Sequence, residues 1–152
     1  MAKRESADEV GQARAVRLWT VAQANERIAE LSELIPEVRA WVDRLRVVHA
    51  ELLRLRGLWG TEIDAPDLPD RRHKDRLDQE WATLSRRIEE TIEQMRADGI
   101  EIKDLEKGLV DFYARRNGEL VYLCWQTGED RVAFYHPLDS GFFGRRPISG
   151  RT

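Results

Sequence analysis

The sequence lacks several features that would assign it to a class of protein. It has one cysteine, Cys124, among 152 residues, which excludes an intramolecular disulfide and a cysteine-rich zinc cage. No run approaches the roughly 18 apolar residues that a membrane-spanning helix needs, and the residues after Met1 do not resemble a signal peptide. We therefore expect a cytoplasmic protein that has no membrane partner.

Neither sign of charge is in large excess. The chain has 25 basic and 28 acidic residues and a formal net charge of −3, so it has no global field that would attract phosphate backbones. The basic residues between Arg71 and Arg76 alternate with Asp70, Asp75 and Asp78, and we expect no nucleic acid partner. The signature motifs of nucleotide-binding proteins, serine hydrolases and helical metal sites are also missing.

The composition is that of a small folded protein. Hydrophobic residues make up 41% and charged residues 35% of the chain, and the length fits one domain. Residues 1–18 are polar and alanine-rich without a sustained apolar face, so we predict a flexible tail there. We predict a single α+β domain over residues 19–150.

Helical periodicity begins at the end of the predicted tail. Thr20 and Gln23 have the spacing of a capping box, which predicts a first helix from there to about Leu34. Pro36 suits the first turn of a second helix, because its missing amide costs nothing there. Gly57 is a natural end for that second helix.

A third helix is predicted from Arg71 to Ala97, with Gly99 as its left-handed C-terminal cap. The second and third helices carry apolar stripes of equal period, which predicts a long antiparallel helical hairpin. In an alternative interpretation, Trp41, Leu45 and Trp81 of these stripes form an interface with a protein partner or a second copy of the chain.

The period of the apolar residues changes to two after Gly99. Three short segments are rich in β-branched and aromatic residues, as is typical of strands: Leu109–Arg115, Leu120–Gln126 and Arg131–His136. Asn117 and Gly118 are a strong signal for a two-residue hairpin turn. We predict a three-stranded antiparallel meander, with residues 100–102 as a further edge strand. The face against the helices is predicted from alternation: Val110, Phe112, Ala114, Val121, Leu123, Trp125, Val132 and Phe134.

Several side chains that can bind a metal fall on this sheet and its turns. His136 ends the third strand, and Asp139 follows in a turn that can bring carboxylate and imidazole together. Glu129 precedes the same strand, and Asp111 lies inside the first. These four are the predicted ligands of a divalent metal, and Arg145 is the predicted contact for an anionic ligand. A structural corner, in which a carboxylate orients a histidine without any metal, is the alternative.

Two functions follow from these patterns. The first is a small domain that binds a divalent metal or a small polar ligand at the corner of the sheet, where an open coordination position would activate water for hydrolysis. The second is a protein interaction or self-association module that uses the helical hairpin and has no catalytic activity. Cys124, in an apolar strand, is predicted to be buried and unreactive.

A resemblance to a known family rests on three pieces of the C-terminal half: GLVDF, LCW followed by GE, and the segment from His136 to GFFGR. These resemble a bacterial family described only as a domain of unknown function, number twenty-two hundred and three. The likeness covers roughly Leu18 to Ile148. It implies a shared fold of helical hairpin and sheet, and it carries no activity, cofactor or catalytic residue.

Overall fold

The computed structural model describes residues 16–148, which divide into two compact units. One unit contains the residues up to Ile35 together with those from Ile92 onward, and the other runs from Pro36 to Thr91. Residues 1–15 of the predicted flexible tail lie outside the described residues. The single domain predicted over residues 19–150 stays a prediction. Within residues 16–148, no helix is long and apolar enough to cross a membrane.

Three α-helices precede the sheet: α1 (Val21–Glu26), α2 (Ile28–Trp59) and α3 (Arg71–Ala97). The capping box predicted before α1 is confirmed, because the Thr20 hydroxyl accepts from the Gln23 amide and the Gln23 side chain accepts from the Thr20 amide. The predicted bounds of the third helix are confirmed as well. Gly99 follows α3 with φ +75°, the left-handed conformation expected of a cap.

The predicted helix boundary at Pro36 is wrong, because Pro36 lies inside α2. A proline cannot donate to the carbonyl of Ser32, and in a helix interior this costs about 3 kcal/mol. Ile35 and Val38 on either side are fully buried, and their burial offsets that cost. The predicted end at Gly57 is also wrong, since α2 continues to Trp59.

The unit from Pro36 to Thr91 has its own small core. Val48 and Leu55 from α2 pack with Leu77 from α3 and with residues of the connection between the helices. That connection contains a 3-10 segment, Gly60–Asp64. Both helices contribute residues to one apolar cluster, as their matching stripes predict.

The sheet has five antiparallel strands in chain order: β1 (Ile100–Asp104), β2 (Leu109–Arg116), β3 (Glu119–Gln126), β4 (Phe134–Pro137) and β5 (Arg146–Pro147). The predicted three-stranded meander corresponds to β2, β3 and β4, and the further edge strand expected over residues 100–102 is present as β1. The edge strand β5 was not predicted. The third predicted strand also begins later, at Phe134 instead of Arg131. The reason is local: the Val132 amide donates to the Asn25 side chain at 2.7 Å and is not available to the sheet.

The turn between β2 and β3 fixes how these strands pair. Asn117 has φ 51° and Gly118 has φ 80°, which confirms the predicted two-residue hairpin. The pairing then runs without a break from Arg116 opposite Glu119 back to Leu109 opposite Gln126. Each directly opposed pair has its side chains on the same face of the sheet.

One face of the sheet forms the main core. Seven of the eight predicted inward residues are buried there beside Leu31, Ile35 and Met95 of the helices. Phe134 is the exception: it pairs with Cys124 and lies on the opposite face. The regular alternation predicted across Arg131 to His136 fails because the strand does not extend that far back.

Candidate functional site

The face of the sheet away from the main core carries a buried polar group. Asp111 on β2 lies directly opposite Cys124 on β3, and His136 on β4 lies opposite Tyr122, two residues earlier on β3. Since β3 is the strand between β2 and β4, the Asp111 and His136 side chains meet above it. All three residues of this group are only 2% exposed: Asp111, Cys124 and His136.

The hydrogen bonds of His136 define its protonation pattern. Its Nδ1 lies 2.8 Å from the carbonyl oxygen of Pro137, and a carbonyl only accepts, so Nδ1 carries a hydrogen. Its Nε2 lies 3.0 Å from Oδ2 of Asp111. Two lone pairs would repel at that distance, so one further proton lies between Nε2 and Oδ2 in the metal-free protein.

Burial disfavours negative charge on this face of the sheet. It raises the pKa of Asp111, an effect that the positive charge of His136 opposes. Burial, with a further contribution from the Asp111 carboxylate, raises the pKa of Cys124 to about 12. The Cys124 thiol therefore stays protonated and donates a hydrogen bond to Asp111. The residue is buried, as predicted.

These three residues offer a set of donor atoms suited to a metal. A carboxylate oxygen of Asp111, Sγ of Cys124 and a ring nitrogen of His136 all lie within 4.8 Å of one another. Zinc binds such atoms at about 2.0–2.3 Å in a tetrahedron, which places them about 3.3–3.5 Å apart. The 3.0 Å between Nε2 and Oδ2 would need to widen by only ~0.3 Å to reach that spacing.

The group borders a cavity of about 180 Å³ on the same face. Asp111, Cys124 and His136 form part of its wall, and a fourth ligand would enter from the cavity. The other lining residues are Lys103, Leu109, Tyr122, Leu138, Ser140, Gly141 and Phe142.

Of the four predicted metal ligands, the structure brings together Asp111 and His136 but not the other two. Glu129 lies in the turn after β3, where its carboxylate accepts from the Gln126 amide at 2.6 Å. Asp139 is exposed in the turn after β4 and does not belong to the group of donor atoms.

Arg145, the predicted contact for an anionic ligand, contacts a carboxylate of the protein instead. Its Nη2 donates to both oxygens of Glu129, at 2.7 and 2.9 Å. Its guanidinium lies over the rings of Phe134 and Phe142, 4.0 and 4.6 Å from their centres.

Sequence reasoning missed Cys124 as a member of the group, although a signal was present. Asp111 is six residues before Asn117, and Cys124 is six residues after Gly118. A two-residue hairpin turn sets the register of its strands, so the two residues had to lie opposite each other. Nothing comparable in the sequence indicates Lys103, which reaches the cavity from the edge strand β1.

Three comparisons with known proteins bear on identity. A family model described as "Uncharacterized conserved protein (DUF2203)" matches residues 17–148. A search of the curated proteins and a search of the solved structures each found no match. The matched range covers the helices, the five strands and all three residues of the buried polar group. The chain therefore belongs to the family of uncharacterized conserved proteins that this model, DUF2203, defines.

Proposed function

We propose that this protein binds one divalent metal ion, zinc above all, through Asp111, Cys124 and His136. The donors would be a carboxylate oxygen, the thiolate sulfur and Nε2. Mixed oxygen, sulfur and nitrogen ligands suit zinc, and catalytic zinc sites keep three protein ligands and one open position. The fourth position would face the cavity.

The orientation of His136 is the observation that carries this proposal. Metal-binding histidines almost always donate their second ring nitrogen to a carbonyl or carboxylate, which fixes the ring and the tautomer. In this protein Nδ1 donates to the Pro137 carbonyl, and Nε2 is directed at Asp111. A metal would take the place of the proton between Nε2 and Oδ2, and of the proton on the Cys124 thiol.

The alternative of a structural histidine–aspartate pair explains less of this arrangement. Such a pair requires neither a cysteine within 4.8 Å of both partners nor a cavity beside it. A buried thiol with its pKa raised to about 12 gains little by lying next to a carboxylate. Next to a metal ion the same thiol would be deprotonated and become a strong ligand.

Metal titration of the metal-free full chain tests the proposal. We expect one equivalent of zinc or cobalt to bind, with a thiolate-to-cobalt charge-transfer band that shows ligation by the single cysteine. Cys124→Ser should abolish the band, and His136→Ala should weaken binding of both metals at least about 100-fold, more than loss of an outer-shell partner costs.

Matched controls separate this site from the ligands predicted from sequence alone. Asp139→Asn removes an exposed carboxylate close to His136 in the chain, and Glu129→Gln removes the partner of Arg145. Both variants should bind metal as the unmodified protein does. Substoichiometric metal binding by the unmodified protein and by every variant would overturn the proposal. A wild-type cobalt complex without the charge-transfer band would also overturn it.

The arrangement also suits a chemical role. A water molecule at the open position of such a zinc site has a pKa near 7 and can act as a nucleophile, which is the chemistry of metal-assisted hydrolysis. The interaction module stays a prediction: Trp81 of the helical stripe is 36% exposed, but nothing in the structure indicates what would cover it.

A further inference from the structure

The rest of the cavity wall indicates what kind of ligand would occupy the open position. Beyond the three proposed metal ligands, the wall has two kinds of surface. Lys103, Ser140 and Tyr122 supply polar atoms, whereas Leu109, Leu138 and Phe142 are apolar.

Lys103 brings a positive charge to the wall of the cavity. Its ammonium pairs with Glu101 and lies 3.4 Å from the Tyr122 hydroxyl and 4.4 Å from the centre of that ring. An ammonium has three N–H donors, so these two polar partners leave one for a ligand. Tyr122 itself donates to Tyr113 at 2.9 Å, which directs its own hydrogen away from the ligand.

Ser140 supplies a second donor from the turn after β4. Its hydroxyl oxygen is buried and has no hydrogen-bond partner among the described residues. A Cβ atom at Gly144 would lie 2.5 Å from that oxygen, so a glycine at position 144 leaves the room in which the hydroxyl sits. A buried hydroxyl that lacks a partner costs about 1–3 kcal/mol, and a ligand oxygen in the cavity would remove this cost.

The two carboxylates nearest Lys103 and the proposed metal are already engaged. Glu101 accepts from Tyr113 at 2.8 Å and pairs with Lys103, and Asp111 is one of the proposed metal ligands. Of the free polar groups in the cavity wall, the Lys103 ammonium only donates and the Ser140 hydroxyl can donate, and donors select an oxygen-rich anion.

We propose that the cavity binds a small organic acid, an inference that rests on the proposed metal site. One oxygen of its carboxylate occupies the open metal position, and the carboxylate accepts from Nζ of Lys103 and Oγ of Ser140. Its apolar body packs on Leu109, Leu138 and Phe142. Inorganic phosphate shares the oxyanion but has no apolar body, so it would bind more weakly.

Anion titrations of the cobalt-loaded full chain test this inference. Butyrate should shift the visible cobalt spectrum at lower concentration than acetate or inorganic phosphate, because only butyrate has both the anionic and the apolar part. Butan-1-ol, which has the apolar part alone, should leave the spectrum unchanged. Tighter binding of phosphate than of butyrate would overturn the assignment to an organic acid.

Variants of the two donors complete the test. Lys103→Met should weaken butyrate binding by about tenfold or more, the worth of a hydrogen bond to a charged group. Ser140→Ala should weaken it to a smaller extent. Neither should change the spectrum of the anion-free cobalt complex. Lys107→Met removes an exposed lysine outside the cavity wall and should bind butyrate as the unmodified protein does.

The outcomes separate this inference from the metal site on which it rests. If cobalt does not bind, both are wrong. If cobalt binds with the charge-transfer band but butyrate leaves the spectrum unchanged, the metal site stands and the organic acid is wrong. Equal butyrate affinities of Lys103→Met and Lys107→Met would also overturn the inference.

Discussion

Replacing Asp111 by asparagine is expected to separate the proposed metal-binding role of this side chain from its structural role. In the metal-free protein Nδ1 of His136 carries a hydrogen, so Nε2 can accept. The amide of asparagine donates to Nε2, and its carbonyl oxygen accepts from the Cys124 thiol. Both hydrogen bonds survive, and the free energy of unfolding should fall by about 1 kcal/mol or less, the net worth of one hydrogen bond.

Asp111→Leu has no such replacement. It leaves Nε2 of His136 buried without a partner, which costs about 1–3 kcal/mol. The leucine variant should therefore be clearly less stable than the asparagine variant in the absence of metal.

Zinc binding should respond differently, because asparagine cannot supply an anionic ligand. Outer-shell partners alone are worth about 10–100-fold in metal affinity, so loss of a direct ligand should cost at least about 100-fold. At a zinc concentration of ~1,000 times the dissociation constant, the wild-type protein gains about 4.1 kcal/mol of stability. The same concentration is ~10 times the dissociation constant of Asp111→Asn, which gains about 1.4 kcal/mol.

Urea unfolding with and without zinc measures both quantities in one experiment. Asp139→Asn is the matched control and should show the full zinc-dependent gain. An equal zinc-dependent gain in Asp111→Asn would show that Asp111 is not a ligand. A metal-free Asp111→Asn protein as unstable as Asp111→Leu would show that the proton between Nε2 and Oδ2 was assigned incorrectly.

Three further predictions concern stability and reactivity. Gly99→Ala should cost more than the ~1–2 kcal/mol of left-handed strain, because its Cβ would lie 2.3 Å from the Arg17 carbonyl oxygen. Gly118→Ala, which has open space around it, should cost the strain alone, and equal losses in urea unfolding would contradict this. Metal-free Cys124 should resist alkylation by iodoacetamide at pH 8 until the protein unfolds, since its pKa is raised to about 12 and the residue is 2% exposed. Rapid alkylation of the folded protein would refute this prediction. Because the folded state keeps the thiol proton above pH 9, the free energy of unfolding should also fall as pH rises from 9 towards 12.

Local signals predicted much of the fold. The capping box at Thr20, the third helix and the turn at Asn117 and Gly118 each depend on residues a few positions apart, and all three are confirmed. Pro36 was misread because its local preference for a first turn is overridden by burial of Ile35 and Val38. Sequence pattern alone gives no measure of that burial.

Predictions about the candidate site depended on longer-range information. Asp111 and His136 are 25 residues apart in the chain, yet both were selected because their side chains can bind a metal and lie on the predicted strands. Glu129 was selected for its chemistry, and no sequence signal shows that Arg145 binds its carboxylate. Cys124 was predicted to be buried and unreactive, although the register of the hairpin already placed it opposite Asp111.

The shortest strand explains why the polar face of the sheet contains a cavity at all. β5 has two residues, too few for any periodic pattern, and it pairs with β4 through Phe134 and Tyr135. To reach that position the chain returns past β4, and the returning segment places Ser140, Gly141 and Phe142 in the cavity wall. An open sheet would leave Asp111 and His136 in contact with water. The returning segment encloses them, and this enclosure accounts for both the raised pKa of Asp111 and the sheltered position that the proposed metal site requires.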